Sequence, residues 1–484
     1  MRNAQTTRSR LSLVVRLLVL CALCCGAIVV SLCLAADKPA GPASPDSAPG
    51  TGSRAHGPVS SASAPGPGQV ASAPASRPID PKEAPNDPNV DLLVKGLNEF
   101  AIDLYKEIAK TEKGNIFFSP FSISSALTMV YAGARGKTAE EMAKVLHFPP
   151  ELLKNNAMSL HAAASKLLRY LDAEVTYYGG KRGFKLCVAN ALWVQKGHPF
   201  IGDFTEVCRS GYASELREFD FRDGDETSRK AVNAWVEKQT EQRIKELMRP
   251  GSVNETTRMI ATNATYFRAR WRLPFKREKT QDGPFWTSPD TKVTVPMMHN
   301  RAQFRFGRIG TFKVVRLDYV GWDVCAIILL PDSKDGLEAL EKSLTGEIFL
   351  KCHNSIDDAD VDVCIPKFRM TWGSDLKPIR SLGMVRALTP GQADFSGITG
   401  DMSLALSSLL HKAIVDLNEE GTEAGRGVGG AMDAVIMERK EFIADYPFLI
   451  MIADRPTGCI YFLGRVIDPT QTTGGNPIEE NPRT

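Results

Sequence analysis

The chain has 484 residues, which is too long for one small domain and allows a single large domain with extensions. Hydrophobic residues make up 43% of it, enough to fill a substantial core. The formal net charge is only +3 and no basic stripe is present, which argues against nucleic acid or any other strongly charged partner.

The amino-terminal segment has the order of a secretory signal. Four arginines precede a charge-free run from Leu17 to Ala36, which ends in two small residues. We therefore predict a signal peptide over residues 1–36 and a secreted, extracellular protein. The run is also long enough to remain as a membrane-spanning anchor, and only an uncleaved leader would bring the protein to a membrane.

Low-complexity sequence follows the leader. Residues 37–85 are rich in Ala, Pro, Ser and Gly and cannot bury enough apolar surface to offset the entropy of ordering them. We predict a disordered linker there, one folded domain over residues 86–470, and a loose tail over residues 471–484.

Four segments have helical patterns. Apolar residues recur at helical spacing in Val94–Ala109, and Ser122–Gly133 is apolar or small on every side, as in a helix that is buried all round. Thr138–Leu146 begins with Thr followed by Glu, which favours a capped helix start. One helix is predicted over Ser228–Met248, with Pro250-Gly251 as its stop signal.

Strand patterns dominate the remainder. β-branched or alternating runs predict strands at Lys185–Val194, Met259–Phe267, Val314–Leu317, Val324–Leu330, Val361–Ile365, Ala413–Leu417, Phe448–Ala453 and Cys459–Val466. Helices and strands are mixed without a repeating βαβ order. The pattern therefore predicts an α+β fold with large, mostly antiparallel sheets.

Motifs of enzymes are absent from the sequence. It contains no HExxH, no GxSxG, no phosphate-binding loop and no dinucleotide glycine fingerprint. Ser, His and Asp residues occur, but nothing marks a nucleophile. We therefore expect a protein that is not an enzyme, with no catalytic residues and no cofactor.

Six cysteines lie outside the leader, far apart and without a metal-binding spacing, so we expect no metal. Mostly buried thiols are expected, with Cys352 and Cys364 as the closest candidate pair for a disulfide. Two glycosylation sequons occur. Asn254 follows a turn and is expected to be used, whereas Asn263 sits in a predicted strand and is expected to be buried.

The most informative segment follows the predicted strand Ala413–Leu417. One set of alternate positions is mostly small or apolar, and the other contains the acids and most of the glycines. The first set is Thr422, Ala424, Arg426, Val428, Gly430 and Met432. Because side chains alternate across a strand, this tract can be a loop in one state and a half-buried strand in another. A plain mobile linker is the alternative.

The sequence around this tract resembles the serpins, the serine protease inhibitors that insert a loop into a sheet. Five separated segments keep the order of that family: NIFFSPFSISSALTMVYAGARGKTAEEM at 115–142, NATYFRARW at 263–271, LGMVRALTPGQADFSGI at 382–398, EEGTEA at 419–424 and PFLIMIADRPTGCIYFLGRVIDP at 447–469. The resemblance extends from about Asp91 to Pro469. It implies a monomeric serpin fold with about nine helices and an exposed reactive-centre loop.

The resemblance also implies a mechanism. A serine protease attacks the loop and forms a covalent acyl-enzyme, and the cleaved loop then enters the main sheet as a new strand. The native fold is then metastable. The implied hinge consists of Glu419, Glu420, Gly421, Thr422, Glu423, Ala424 and Arg426.

Five further residues match family positions where the sheet opens. Ser119, Ser122, Asn263 and His411 are expected to form a polar cluster under the centre of the sheet, and Trp271 to lie where the sheet first opens. An ordinary structural histidine and an ordinary core tryptophan are the alternatives.

The scissile bond follows from the family's usual spacing. Fifteen residues beyond Glu420 is Val435, so the predicted reactive bond is Val435–Ile436. A small β-branched residue before the scissile bond suits an elastase-like protease. The expected target is therefore an elastase- or chymotrypsin-like serine protease. Ala434 and Met437 stay open as alternatives, and a trypsin-like protease would cut after Arg439 instead.

The hinge departs from the family's run of alanines. Glycines alternate along it, and Arg426 falls on the face of Thr422 and Ala424 that should become buried. A buried unpaired charge costs several kcal/mol and would slow insertion. The alternative function is therefore a non-inhibitory serpin that is cleaved as a substrate or acts as a carrier or chaperone.

Overall fold

The computed structural model describes residues 86–172, 176–177, 180–181, 184–212, 214–375, 377–422 and 439–474. The predicted signal peptide and linker lie outside this part of the chain. The end of the predicted loose tail is outside as well, but Thr473–Gly474 pair with a neighbouring strand, so the tail begins as ordered sheet.

Ten α-helices occur in the described residues, close to the nine expected. They are α1 Pro88–Thr111, α2 Pro120–Tyr131, α3 Gly136–Val145, α4 Lys154–Asp172, α5 Gly202–Tyr212, α6 Asp225–Gln239, α7 Leu337–Ser343, α8 Gly346–Asn354, α9 Pro378–Ser381 and α10 Ser396–Thr399. No helix among the described residues is both long enough and apolar enough to cross a membrane.

The strands are β1 Ile116–Phe118, β2 Thr176–Tyr177, β3 Gly180–Lys181, β4 Phe184–Gln195, β5 Glu215–Phe219, β6 Met259–Arg270, β7 Gln281–Ser288, β8 Thr291–Ile309, β9 Phe312–Asp318, β10 Val324–Pro331, β11 Asp357–Pro366, β12 Phe368–Ser374, β13 Leu406–Asn418, β14 Gly421–Thr422, β15 Lys440–Ile443, β16 Phe448–Asp454, β17 Ile460–Val466 and β18 Thr473–Gly474.

Two large sheets organise these strands, and β2 and β3 form a separate small ribbon. The main sheet has seven strands in the order β18-β12-β13-β14-β6-β4-β5, and β13 also pairs directly with β6. The second sheet has nine strands in the order β1-β17-β16-β10-β9-β8-β11-β15, with β7 added at β8. The fold is the α+β arrangement that the sequence predicted, and its sheets contain many antiparallel pairs.

Helix α2 lies between the two sheets, where it contacts β4, β6 and β17. Ser119 caps it by accepting a hydrogen bond from the Ser122 backbone N–H at 3.2 Å, and Pro120 occupies its first turn. Its residues from Pro120 to Val130 are all buried, as predicted for a helix that is apolar or small all round. A polar residue on α2 therefore faces protein on every side.

Two predictions about helices were wrong. Helix α3 begins at Gly136 rather than Thr138, because the Thr138 hydroxyl accepts a hydrogen bond from the Asp394 backbone N–H at 2.9 Å instead of capping the helix. Helix α6 ends at Gln239 rather than Met248. The apolar residues beyond Gln239 still reach the same core through an irregular segment.

Buried thiols are the rule in the described part of the chain. Cys208, Cys325, Cys352, Cys364 and Cys459 are buried, and none of them forms a disulfide. The candidate pair Cys352–Cys364 is therefore not bonded. Burial raises the pKa of the thiols of Cys208, Cys352 and Cys364 to about 12, which keeps them protonated at neutral pH.

Candidate functional site

The centre of the main sheet is a parallel pair of strands. Strands β6 and β13 run side by side from Met259 opposite Leu406 to Tyr266 opposite Ile414. Beyond this point the two strands separate, and β14 lies between them, antiparallel to both. The first residues after β13 thus already form a short strand in the gap.

Gly421 allows this close approach. A Cβ atom at Gly421 would lie 2.0 Å from the backbone oxygen of Ala269, and the φ angle of Gly421 is +152°. Real Cβ atoms do not come so near a carbonyl oxygen, so any other residue would push β14 out of its place. The chain needs glycine at this point of the hinge.

Thr422 fills the gap with a fully buried side chain. Its hydroxyl is hydrogen-bonded to the Tyr319 hydroxyl at 2.7 Å. Burial raises the pKa of Tyr319 above its usual value, so this phenol is protonated at every physiological pH. Tyr319 was not identified from the sequence, since it lies in a turn after β9 that contains no motif.

Trp271 joins the end of β6 to the hinge. Its ring stacks on Tyr319 with centroids 4.4 Å apart. Its indole N–H donates to the Asn418 backbone oxygen at 2.9 Å, and its backbone N–H donates to the Glu420 backbone oxygen at 2.9 Å. Trp271 therefore lies at the top of the gap, in contact with the residues that lead into β14.

The two hinge glutamates are both paired. Glu419 is buried, and it accepts from Lys367 at 3.0 Å and from the Thr280 hydroxyl at 3.0 Å. Burial alone would raise the pKa of the Glu419 carboxyl, but these partners and its own backbone N–H outweigh that effect and lower it. Glu420 forms an ion pair with Arg277. These bonds fix the turn between β13 and β14.

The polar cluster under the sheet is centred on His411. The His411 Nε2 accepts from the Ser119 backbone N–H at 3.1 Å, and its Nδ1 is hydrogen-bonded to the side-chain oxygen of Asn263. This pattern requires the neutral imidazole with its proton on Nδ1. Burial lowers the pKa of His411 to about 3, in keeping with that form.

Asn263 continues the cluster towards α2. Its side-chain NH₂ donates to the Ser122 hydroxyl and to the side-chain oxygen of Asn190. The Thr265 hydroxyl also reaches Ser122, at 2.5 Å. The structure thus brings together Ser119, Ser122, Asn263 and His411 and adds Asn190 and Thr265. Thr265 shares the face of Asn263 along β6, a signal that alternation in the sequence could have supplied.

The cluster joins elements that would have to separate. It links β13 and β6 of the main sheet with the start of α2 below them. Because Ser119, Ser122, Asn263 and His411 are all buried, each of their hydrogen bonds lost on opening must be replaced or it costs about 1–3 kcal/mol. The cluster can therefore hold the sheet closed and set the barrier to its opening.

The remaining predicted site residues divide into two groups. The hinge residues Glu423, Ala424 and Arg426 and the reactive-bond residues Val435 and Ile436 lie outside the described residues. The two sequon asparagines are described: the side chain of Asn254 is exposed in a turn, and Asn263 is fully buried, as predicted.

Comparisons with known proteins agree with this geometry. The family model described as Serpin (serine protease inhibitor) matches residues 95–469. Leukocyte elastase inhibitor of Bos taurus is 38% identical over 381 residues, which covers 76% of this chain and 97% of that protein.

Solved structures give the same result. Uncleaved ovalbumin is similar with a TM-score of 0.70 and 26% identity, covering 78% of this chain and all 100% of that chain. Human thyroxine-binding globulin in complex with thyroxine has a TM-score of 0.70 and 29% identity, and the match covers 79% of this chain and 100% of that chain. The chain belongs to the serpin family. Its fold is the serpin fold.

Proposed function

We propose that this serpin is a suicide-substrate inhibitor of serine proteases with elastase- or chymotrypsin-like specificity. The observation that carries the proposal is the position of β14, which lies antiparallel between two parallel strands of the main sheet. A strand in that orientation can form hydrogen bonds with both neighbours. It can be extended beyond Thr422, between β6 and β13, as those two strands separate.

Hydrogen bonding favours the extension. Strands β6 and β13 now form backbone hydrogen bonds with each other along the closed part of the sheet. An inserted strand would form backbone hydrogen bonds with both of them. Each added bond contributes about 0.5–1.5 kcal/mol, so a dozen inserted residues gain on the order of 10 kcal/mol. Four strand glycines cost about 2–4 kcal/mol in total, which is less than this gain.

The far end of the loop supplies the anchor. Arg439 pairs with Asp362, and β15 runs parallel to β11 at the edge of the second sheet. When the protease serine attacks the Val435 carbonyl carbon, an ester forms and the amine of Ile436 leaves. The Ile436 side stays attached through β15. The Val435 side carries the esterified protease into the main sheet.

The similar proteins support the class of target. The bovine relative is named as an inhibitor of leukocyte elastase, and the predicted Val435 is the small β-branched residue that a shallow specificity pocket accepts. Transfer of that target to this chain is part of the proposal.

The test is to incubate the full chain with an elastase, chymotrypsin and trypsin. We expect an SDS-stable complex near the summed mass with the first or second protease, and amino-terminal sequencing of the released peptide should begin at Ile436. The matched control is Thr422→Arg, because the buried site of Thr422 has no room for a guanidinium. That variant should be cleaved without forming the complex. Cleavage of the parent chain without any complex would refute inhibition.

Secretion and glycosylation form a separate part of the proposal. The order of charges in residues 1–36 and the exposed Asn254 side chain support export and a glycan at Asn254. Expression in a secretory cell line should yield a chain that starts after the leader and loses mass on enzymatic deglycosylation, whereas Asn254→Gln should not lose mass. A membrane-bound chain that retains residues 1–36 would favour the anchor instead.

One observation favours the non-inhibitory alternative. If the register of β14 continues, Arg426 would lie opposite Thr265 of β6 and Ala413 of β13, both fully buried. A guanidinium there is costly unless it is paired. The solved structure of thyroxine-binding globulin with thyroxine is of a relative that binds a small ligand. Arg426→Ala should raise the fraction of protease trapped rather than released, and an unchanged fraction would show that Arg426 does not hinder insertion.

A further inference from the structure

A cavity of about 170 Å³ lies beside the hinge, and nothing in the proposed inhibition uses it. Trp271 and Phe275 form its wall on the hinge side, and β8, β9 and β11 of the second sheet form the other walls. Trp322 and Arg455 also line it. This volume exceeds what one water needs, so the cavity can hold a small organic molecule.

The cavity has an excess of positive charge. Four arginines line it against two aspartates, Asp318 and Asp358. Arg316 and Arg455 share Asp318 at 3.2 Å and 3.7 Å, and Arg305 pairs with Asp358 at 3.1 Å. The aspartates are therefore already engaged by three of the four arginines.

Arg272 is the fourth arginine. Within the described residues, its Nε is buried and no group accepts a hydrogen bond from it. The Arg316 Nε and the Asp318 Oδ1 form an ion pair at 3.2 Å without the geometry of a hydrogen bond, whereas Arg272 has no described carboxylate beside it. The guanidinium lies over the Trp322 ring, 4.1 Å from the centroid. A half-buried cation next to an aromatic face, with a donor left over, is suited to an anionic group.

Trp322 is unusual in two respects. Its φ angle is +67°, which is strained for an aromatic residue, and 52% of its surface is exposed. Arg455 lies on the ring as well, at 5.4 Å from the centroid. Strained, exposed aromatic residues are more common at binding sites than on inert surface. Here the ring offers a flat apolar surface next to the free guanidinium.

We propose that this cavity binds a small organic anion in which one carboxylate, phosphate or sulfate group is joined to a flat apolar body. The anionic group would accept hydrogen bonds from Arg272, and the apolar body would pack against Trp271 and Trp322. The charge excess and the mixed aromatic lining both select for this combination rather than for a bare inorganic ion or an uncharged ring.

Occupancy of the cavity is coupled to the hinge through Trp271, and this part rests on the proposed loop insertion. The Trp271 ring is a cavity wall, and its two N–H groups hold the backbone oxygens of Asn418 and Glu420. Any shift of those residues during insertion must move the wall. Ligand binding and insertion therefore influence each other by the same factor in both directions.

The test measures affinity for naphthalene-1-sulfonate by titration calorimetry on the full chain. Arg272→Gln should weaken binding about tenfold or more, since it removes a charge-assisted hydrogen bond. Trp322→Ala, at a half-exposed position, should weaken it as well. The matched control is Lys334→Gln, which removes a cation lying 3.2 Å from another tryptophan ring, that of Trp286, away from the cavity. Melting curves of each variant establish that it is folded.

Two results would overturn the binding proposal: no binding by the parent chain, or equal affinity in the parent, Arg272→Gln and Lys334→Gln. Equal affinity for inorganic sulfate and naphthalene-1-sulfonate would overturn the organic class of ligand. For the coupling, affinity is compared between the intact and the loop-nicked chain, and we expect a difference. Equal affinities, in a nicked chain whose melting temperature has risen, would overturn the coupling. If the melting temperature does not rise, the proposed function fails while the binding result stands.

Discussion

Two single residues have a role that depends on their own chemistry. One lies under the sheet and depends on its protonation state, and the other lies at the hinge and depends on its lack of a side chain. His411 accepts one hydrogen bond and donates another only when it is neutral, and Gly421 is the residue type that lets β14 approach β6. A change at either position should therefore lower the free energy of unfolding by an amount that can be measured.

Stability should fall in mild acid because of His411. Its pKa is about 3 in the folded chain against 6.5 for the ordinary value, so the unfolded chain binds more protons between these limits. Its contribution is therefore fully present above pH 6.5 and is lost as the pH falls from there towards 3. At pH 5 the loss is about 2 kcal/mol.

The measurement compares the free energy of unfolding at pH 7.5 and pH 5.0 in the parent and in His411→Gln. Gln can make similar hydrogen bonds but does not titrate. The drop should be larger in the parent by about 2 kcal/mol. An identical drop in both proteins would mean that His411 does not titrate between the two pH values.

Gly421→Ala should destabilise the native chain by about 1–3 kcal/mol, because the new methyl group meets the Ala269 backbone oxygen. The midpoint of urea unfolding gives the change. Gly202→Ala is the matched control, since a Cβ atom there meets nothing within 4 Å. If both variants unfold at the same midpoint, β14 is not held against β6 in solution.

At the scale of elements, the segment after α6 shows why a correct apolar pattern can give a wrong element. Ile244 and Leu247 are buried in the core that α6 forms with the main sheet, as their spacing suggested. The helix nevertheless ends at Gln239, and Glu241 and Gln242 adopt positive φ angles of 50° and 65°. Periodicity reports which residues are buried and does not show where the backbone stops being helical.

Asn233 holds this irregular segment in place. Its side chain donates to the Met248 backbone oxygen at 2.9 Å and accepts from the backbone N–H groups of Leu247 and Met248 at 3.0 Å and 2.8 Å. Asn233→Ala should lower the free energy of unfolding by about 2–4 kcal/mol, since three buried bonds are lost. Lys230→Ala, on the exposed side of the same helix, should change it by less than about 0.5 kcal/mol. A small effect at Asn233 would mean that the segment is held by its apolar contacts alone.

Much of the fold could be predicted because strands with β-branched or alternating sequence are strongly marked. Each of the eight predicted strands occurs, with ends shifted by up to four residues except that β13 begins at Leu406, seven residues before its predicted start at Ala413. The long strand β8 was missed, since its polar and apolar residues follow no simple alternation and its burial is mixed. The polar cluster could be predicted only from the family resemblance. No local pattern shows that Ser119, Asn263 and His411, which are far apart in sequence, meet under one sheet.

At the scale of the whole molecule, the paired strands β6 and β13 of the main sheet are the elements that the proposed loop insertion would separate. The closed sheet holds β6 against β13, and the open sheet would hold an extra strand between them. We therefore expect that a single cut near Val435 raises the melting temperature of the remaining structure, because the inserted strand adds hydrogen bonds on the order of 10 kcal/mol.

Calorimetry on the intact and the nicked chain measures this change. Nicked Thr422→Arg is the control, and it should melt at the temperature of its intact form, since its insertion is blocked. Coincident melting temperatures in the parent would mean that the native fold stores no energy that cleavage can release.

The burial of five thiols has a consequence for how the protein meets oxidants. Only the thiolate reacts quickly with peroxide or with another disulfide, and burial keeps these sulfurs protonated and out of reach. These five thiols should therefore respond little to a change between reducing and oxidising surroundings. Partial unfolding would expose these thiols to oxidation and to disulfide crosslinking. Oxidised or crosslinked molecules would therefore be ones that had already unfolded in part.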